Sequence, residues 1–270
     1  MGGVRLYRLS MASLKQLATR WEALAQEDPL WAICADPDRR NGGWNTQDFF
    51  AAGEREIATV FQHLRSLDIP MNRDWPALDF GCGAGRLTRA LAARFSECWG
   101  VDISPCMIEK ARALNGDQPH CKFVLNDQPN LRMFENAKFG FVYSSLVLQH
   151  IDPQFMPGYL KEMARVLRPG GVMVFQVADR FNATGFQKLR LRIAFRRRRN
   201  ELRNGAKATI LMHCLPEKRV RQILSDCDVA IEDVRITNST DPAFNGNLQW
   251  LDREPAEGYV SKQYCVMKSR

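Results

Sequence analysis

Residues 79–86 read Asp-Phe-Gly-Cys-Gly-Ala-Gly-Arg, an acid followed by three alternating glycines, Gly81, Gly83 and Gly85. A glycine turn between a buried strand and a helix start brings backbone N–H groups against a ligand and leaves no side chain in the way. A plain tight turn would use glycines too, but the acid two residues before the first glycine adds a charge that such a turn does not need. A second apolar run, Trp99-Gly-Val-Asp-Ile-Ser104, ends in Asp102, 23 positions after Asp79. A carboxylate at the end of a strand can accept hydrogen bonds from both hydroxyls of a ribose. Ser104, followed by Pro105, is the better cap for the next helix, which leaves Asp102 free to face a crevice. Further on, His150 has the chemistry of a general base near neutrality, or of a histidine hydrogen-bonded within its own domain.

These residues need elements to position them. From residue 77 on, short apolar runs alternate with amphipathic stretches, the pattern of a doubly wound α/β fold with a parallel sheet. Strands are expected at 77–80, 97–102, 121–126, 139–145 and 171–178, with helices near 86–95, 105–115 and 153–167. Pro169-Gly170-Gly171 is expected to turn the last of these helices into the fifth strand. A helix near 216–227 and strands at 229–237 and 259–268 complete the set. Upstream, Leu14, Leu17, Trp21 and Leu24 recur at helical spacing, as do Phe50, Ile57, Val60, Phe61, Leu64 and Leu67. We therefore expect an N-terminal helical cap over 1–75 and the main domain over 76–270.

An apolar share of 45% over 270 residues suits one soluble α/β domain with a full core. No run approaches the length of a membrane span, and the N-terminus has no apolar signal core, so a cytoplasmic location is the expectation. Eight cysteines are scattered without a Cys-x-x-Cys pair or a histidine at ligand spacing, so free thiols and no metal are expected. The net charge of +8 is one local feature: residues 180–203 hold nine basic residues against one acid. Elsewhere the charges balance.

Taken in order, these motifs resemble class I (Rossmann-like) S-adenosylmethionine-dependent methyltransferases, in their small-molecule branch. The resemblance covers residues 77–178 and, less closely, the last two strands. It implies a seven-stranded, mostly parallel sheet whose last strand is antiparallel, with S-adenosyl-L-methionine as cofactor. It places Asp79, Gly81, Cys82, Gly83 and Gly85 beside the methionine part, Asp102 on the ribose, and Ile103 and Met107 flanking the adenine. Asn126 or Asp127 would lie near the adenine amino group, and a simple polar loop would account for both. Ser144 and Ser145 would line the cofactor at the end of the fourth strand. In that strand Gly140 stands where the family often has an acid. Phe50 and Gly53 are candidates for a segment folding over the cofactor, with ordinary helix packing as the other reading. The turn at 169–171 resembles the scaffold element that leads into the family's fifth strand.

The resemblance implies methyl transfer to an oxygen or nitrogen of a metabolite, sugar or lipid-linked acceptor, with His150 helping an oxygen acceptor as base. Absence of an Asp/Asn-Pro-Pro-Tyr/Phe motif and of a Pro-Cys nucleophile argues against base-modifying enzymes. A basic helical insertion is expected at about 179–215, where Phe186, Leu189 and Ile193 share a face among arginines. Through Lys188–Arg203 it could bind an anionic acceptor, an anionic membrane or RNA, or be a solvated charged helix. An RNA or protein methyltransferase is the second reading, and a non-catalytic cofactor-binding protein the third.

Overall fold

The computed structural model describes residues 2–183 and 211–270, and side chains from Leu14 onward. Three helices come first: α1 (Gly2–Glu27), α2 (Pro29–Ile33) and α3 (Thr46–Ser66). They are followed by β1 (Ala77–Phe80), α4 (Arg86–Ala92), β2 (Cys98–Asp102), α5 (Pro105–Leu114), β3 (Cys121–Leu125) and β4 (Phe139–Ser144). A short 3-10 turn (Leu148–His150) and α6 (Met156–Val166) lead into β5 (Leu167–Asn182). The chain ends with α7 (Glu217–Leu224), β6 (Val229–Thr237), β7 (Trp250–Leu251) and β8 (Gly258–Lys268).

The strands form one sheet in the order β3-β2-β1-β4-β5-β8-β6-β7. β1 to β5 pair in parallel, and β8 is antiparallel to both β5 and β6. The described residues hold eight strands where seven were expected. The extra one is the two-residue β7, which pairs Leu251 with Ile236 and Trp250 with Thr237 at the sheet edge. Two residues are too few to show an alternation, so nothing in the sequence marked it.

Every residue of β1 is buried, as a central parallel strand requires. Alternation sends Leu78 and Phe80 into a core shared with α6, α7 and the Leu14–Leu17 turn of α1. Ala77 faces the other core, with α3, α4, Phe141 and Tyr143. The N-terminal helices thus share both cores with the sheet, and Leu24, Ala25 and Ala32 form a smaller cluster with Met107 of α5.

The Pro169-Gly170-Gly171 turn is absorbed into β5 as a bulge: Phe139 pairs with Leu167, but Phe141 pairs with Val172. Gly140 is explained by its neighbour, because a Cβ there would lie 2.6 Å from the Trp75 Cβ. Trp75 fills the space that a larger residue would need. The expected insertion at 179–215 begins later than that. β5 continues to Asn182 because Arg180, Phe181 and Asn182 pair with Val260, Tyr259 and Gly258 of β8. Residues 211–215 are extended rather than helical. The basic helix itself, and the membrane or RNA contact expected of Lys188–Arg203, lie outside the described residues. No described helix is long and apolar enough to cross a membrane.

One buried ion pair joins α3 to α4. The Arg86 guanidinium donates to Glu56 Oε2 at 2.8 Å, and the Tyr143 hydroxyl donates to Oε1 at 2.9 Å. Burial opposes the Arg86 charge, yet Glu56 keeps the guanidinium protonated. Arg86 Nε and Nη1 have no hydrogen-bond partner, so the pair carries an unrelieved desolvation cost. Removing one partner would leave the other charge stranded. Arg86→Met should therefore cost about 3–5 kcal/mol in urea denaturation. The double variant Glu56→Gln/Arg86→Met should recover part of that loss. A loss near zero for the single variant would contradict this account.

Candidate active site

Leaving β1, the chain turns through Gly81 (φ +80°) and Gly83 (φ +51°), backbone conformations that disfavour any side chain. Space excludes one as well. A Cβ on Gly81 would lie 2.2 Å from Val147 Cγ2, and one on Gly83 would lie 2.5 Å from Ile33 Cδ1. Beside this turn, at the carboxyl ends of β1, β2 and β4, lies a cavity of about 360 Å³. Gly81, Gly83, Asp102, Ile103, Met107, Asn126, Ser145 and His150 all line it. The sequence had scattered them over 70 positions.

Asp102 organises the glycine-turn side of this cavity. Its Oδ2 accepts from the Gly83 N–H and its Oδ1 from the Ser104 N–H, both at 2.9 Å. Each oxygen keeps a further lone pair for a ligand hydroxyl. Burial raises its pKa, against those backbone N–H groups. Ser104 caps α5 as expected, accepting from the Met107 N–H at 3.1 Å. This cap fixes Met107 in the wall.

Asp79 lies behind the turn and does not line the cavity. Thr88 donates to its Oδ2 at 2.7 Å, while its buried Oδ1 has no hydrogen-bond partner. Burial pushes this carboxyl up to about 7, against the Thr88 hydrogen bond and the Arg86 charge. Cys82 and Gly85 also sit outside the wall. The Cys82 thiol points to the Gly83 carbonyl, and Gly85 precedes α4, packed against Asn115 and Phe123. Ser144 donates to the Phe80 carbonyl at 3.1 Å, behind the cavity surface.

Of the pair at the end of β3, Asn126 faces the cavity. Its side chain also shapes the next loop, donating to the Asn130 carbonyl and accepting from the Gln128 N–H. Asp127 is exposed and bonds Gln128 Nε2. Phe50 and Gly53 do not reach the cavity. Phe50 lies under the Arg89 guanidinium at 4.7 Å. Gly53 lets α3 close on α4, since a Cβ there would meet the Arg86 carbonyl at 2.5 Å. Both positions serve helix packing.

His150 also lines the cavity, buried, with its ring centroid 5.2 Å from that of Trp21 in an edge-to-face arrangement. Nδ1 lies 2.8 Å from the Leu211 carbonyl, which can only accept, so Nδ1 carries the proton. Burial lowers its pKa to about 4, partly offset by that hydrogen bond. The ring is neutral at neutral pH.

Three parts of the wall were not read from the sequence. Leu17 and Trp21 of α1 face inward, and α1 is held there by Glu22, whose Oε2 accepts from Ser104 Oγ (2.6 Å) and the Cys106 N–H (3.1 Å). Helical spacing showed an apolar face on α1 without showing what it covers. Gln149 and Met212 also contribute, as does the loop Ser239–Pro242 with Phe244, which has no periodic pattern. Among the described lining residues, Asp102 and Asp241 are the carboxylates and there is no Lys or Arg. None of the four-cysteine-type or His/Asp/Glu clusters that hold metals occurs among the described residues.

The raised Asp79 pKa has a sign that can be checked. An acid with a folded pKa near 7 and an unfolded value near 3.8 binds a proton more tightly when folded. Its contribution to stability therefore falls as pH rises from about 4 to about 7. Asp79→Asn lacks this dependence, so its stability should gain on wild type by up to about 4 kcal/mol over that window, in denaturation at several pH values. A constant difference between the two proteins would contradict the assignment.

Residues 78–175 match a family model described as a methyltransferase domain. Among curated proteins, the chain is 35% identical over 113 residues to trans-aconitate 2-methyltransferase of Methylobacterium radiotolerans, covering 41% of each. It is 31% identical over 140 residues to thiocyanate methyltransferase 1 of Brassica oleracea, covering 49% of this chain and 60% of that one. The chain thus spans less than two thirds of either relative. Among solved structures, phosphoethanolamine N-methyltransferase 1 of Haemonchus contortus superposes with a TM-score of 0.61 at 13% identity, over 95% of this chain and 49% of that one. Magnesium protoporphyrin IX methyltransferase of Synechocystis, solved with bound S-adenosylhomocysteine, gives 0.54 at 17%, over 86% and 92%. At these identities the structural likeness shows the fold. Residues 78–175 are thus similar to a methyltransferase domain, and the chain has the fold of these solved methyltransferases.

Proposed function

We propose that this chain transfers the methyl group of S-adenosylmethionine to an oxygen or nitrogen of a small-molecule acceptor held in the cavity. The observation that carries this reading is the shape of the cavity. The glycine turn with Asp102 lines the same cavity as His150 and Gln149. The residues present suit the cofactor. Asp102 has free lone pairs for a ribose diol, Ile103 and Met107 offer an apolar slot for adenine, and the buried, unpartnered Asp79 Oδ1 lies behind the turn where the methionine ammonium would add positive charge.

When bound, the cofactor supplies an already activated sulfonium methyl, so the protein's share is position and exclusion of water. Trp21, Leu17 and Ile33 close the cavity over the glycine turn. His150 receives a hydrogen bond from the acceptor at Nε2. With a pKa near 4 it orients a hydroxyl or amine N–H and is only a weak base.

Calorimetry with S-adenosylmethionine tests the donor half. Asp102→Ala removes two charge-assisted hydrogen bonds to ligand and should weaken binding by roughly 10- to 1000-fold. Equal affinities would sink the ribose assignment. Labelled methyl transfer into fractionated cell extract tests the acceptor half: incorporation is expected in the small-molecule fraction, and incorporation confined to RNA or protein would overturn it.

A further inference from the structure

Behind the acceptor wall runs a chain of buried amides whose polarity leaves no freedom. At one end is the backbone N–H of Leu146, a residue in the left-handed region (φ +62°), which non-glycine residues adopt at a cost. That N–H donates to Gln176 Oε1 at 3.0 Å. Since a backbone N–H can only donate, the Gln176 amide is fixed with its oxygen toward Leu146 and its nitrogen away. Gln176 Nε2 then donates to Gln149 Oε1 at 2.8 Å. This turns the Gln149 nitrogen toward His150 Nε2, 3.3 Å away. A ring nitrogen facing an amide N–H must accept, so the proton sits on Nδ1, where the Leu211 carbonyl receives it at 2.8 Å. Each orientation is forced by the one before it, and backbone groups anchor both ends.

Gln176 has a second branch. Its other N–H donates to Ser261 Oγ at 2.7 Å. Ser261 in turn accepts from Thr237 Oγ1 (2.9 Å), which bonds Ser239 Oγ (2.9 Å) at the start of the loop on the far side of the cavity. Gln176 itself is fully buried in β5 and does not line the cavity.

We propose that Gln176 is a positioning residue for methyl transfer. Through Gln149 it holds His150 as the Nδ1–H tautomer, with Nε2 available as a hydrogen-bond acceptor, and through Ser261 it holds the Ser239 loop opposite. This rests on reading the cavity as the methyl-transfer site. The Gln149–His150 contact, at 3.3 Å, is the longest link of the relay from Leu146 to Leu211. An incoming hydroxyl or amine N–H takes over the Nε2 lone pair there. The acceptor's reacting group is therefore one that arrives as a hydrogen-bond donor.

Histidine side-chain ¹⁵N spectra of the full chain, with His150 assigned by its own substitution, test this directly. The wild type should show His150 neutral with the proton on Nδ1. Gln176→Glu can still accept from Leu146 but no longer donates to Gln149. The Gln149 amide must flip, its oxygen then faces Nε2, and Nε2 should gain a proton at neutral pH. Gln176→Met removes the constraint on the Gln149 amide and should shift the Nε2 resonance, while Nδ1 keeps its proton for the Leu211 carbonyl. If Gln176 variants fail to fold, Gln149→Met provides the second arm, because the Nε2 resonance should move as it loses its donor. His150 signals unchanged in folded variants would overturn the proposal. S-adenosylhomocysteine affinity, measured on the same samples, should stay within about twofold in Gln176→Glu, since the donor half does not touch Gln176. A wild type that does not bind S-adenosylhomocysteine would instead defeat the methyl-donor reading, whatever the His150 spectrum shows.

Discussion

The site exists because β1 is flanked by β2 on one side and β4 on the other. A chain that builds a parallel sheet outward from the middle must reverse direction once, and at that reversal the connections leave the carboxyl ends on opposite sides. The crevice between them has no connection crossing it. Here it opens above Phe80 and Ser145, and the glycine turn, Asp102 and the His150 turn all face it. Fixing the strand order fixes which loop ends meet. Chemistry can then be placed on loops while the register of β1 with β2 and β4 holds the geometry.

Burial supplies the second constraint. Two carboxylates, Asp79 and Asp102, sit in this crevice region with raised pKa values, and a third, Glu56, is paired with Arg86 just behind it. Asp102 tolerates burial because two backbone N–H groups face it. Asp79 has one hydroxyl donor and an unpartnered oxygen, a configuration that a cationic group would relieve. His150 shows the complementary effect: burial removes its positive charge, and its fixed tautomer makes it an acceptor rather than a strong base. On the proposed reading, the buried carboxyls lie at the methyl-donor end and the uncharged His150 and Gln149 at the acceptor end. That division suits a positively charged sulfonium reagent meeting a neutral nucleophile.

Much of the glycine-turn side of the cavity was legible in the sequence, because strand ends and glycine turns are local features. Asp102 after a buried run, Ser104-Pro105 as a helix cap and the three glycines each have a reason that needs no partner. The fold class followed from the same alternation, with only the two-residue β7 lost. Phe50 and Gly53 misled, because a helical apolar face does not say what covers it, and here α4 does. Asp79, Cys82 and Ser144 were close to the site in sequence, but strand alternation or a turn carries their side chains behind its wall. Around His150, the rest of the wall was not legible. Gln176, Gln149 and Ser261 look like isolated polar residues, and only the pairing of β5 with β8 brings Gln176 against its partners.

A structure of the chain with S-adenosylhomocysteine tests the central claim most directly. The ribose hydroxyls should lie on the Asp102 carboxylate, the adenine between Ile103 and Met107, and the methionine part along the Gly81–Gly83 backbone, with the sulfur facing His150. A ligand bound elsewhere, or bound here with Asp102 free of the ribose, would contradict it.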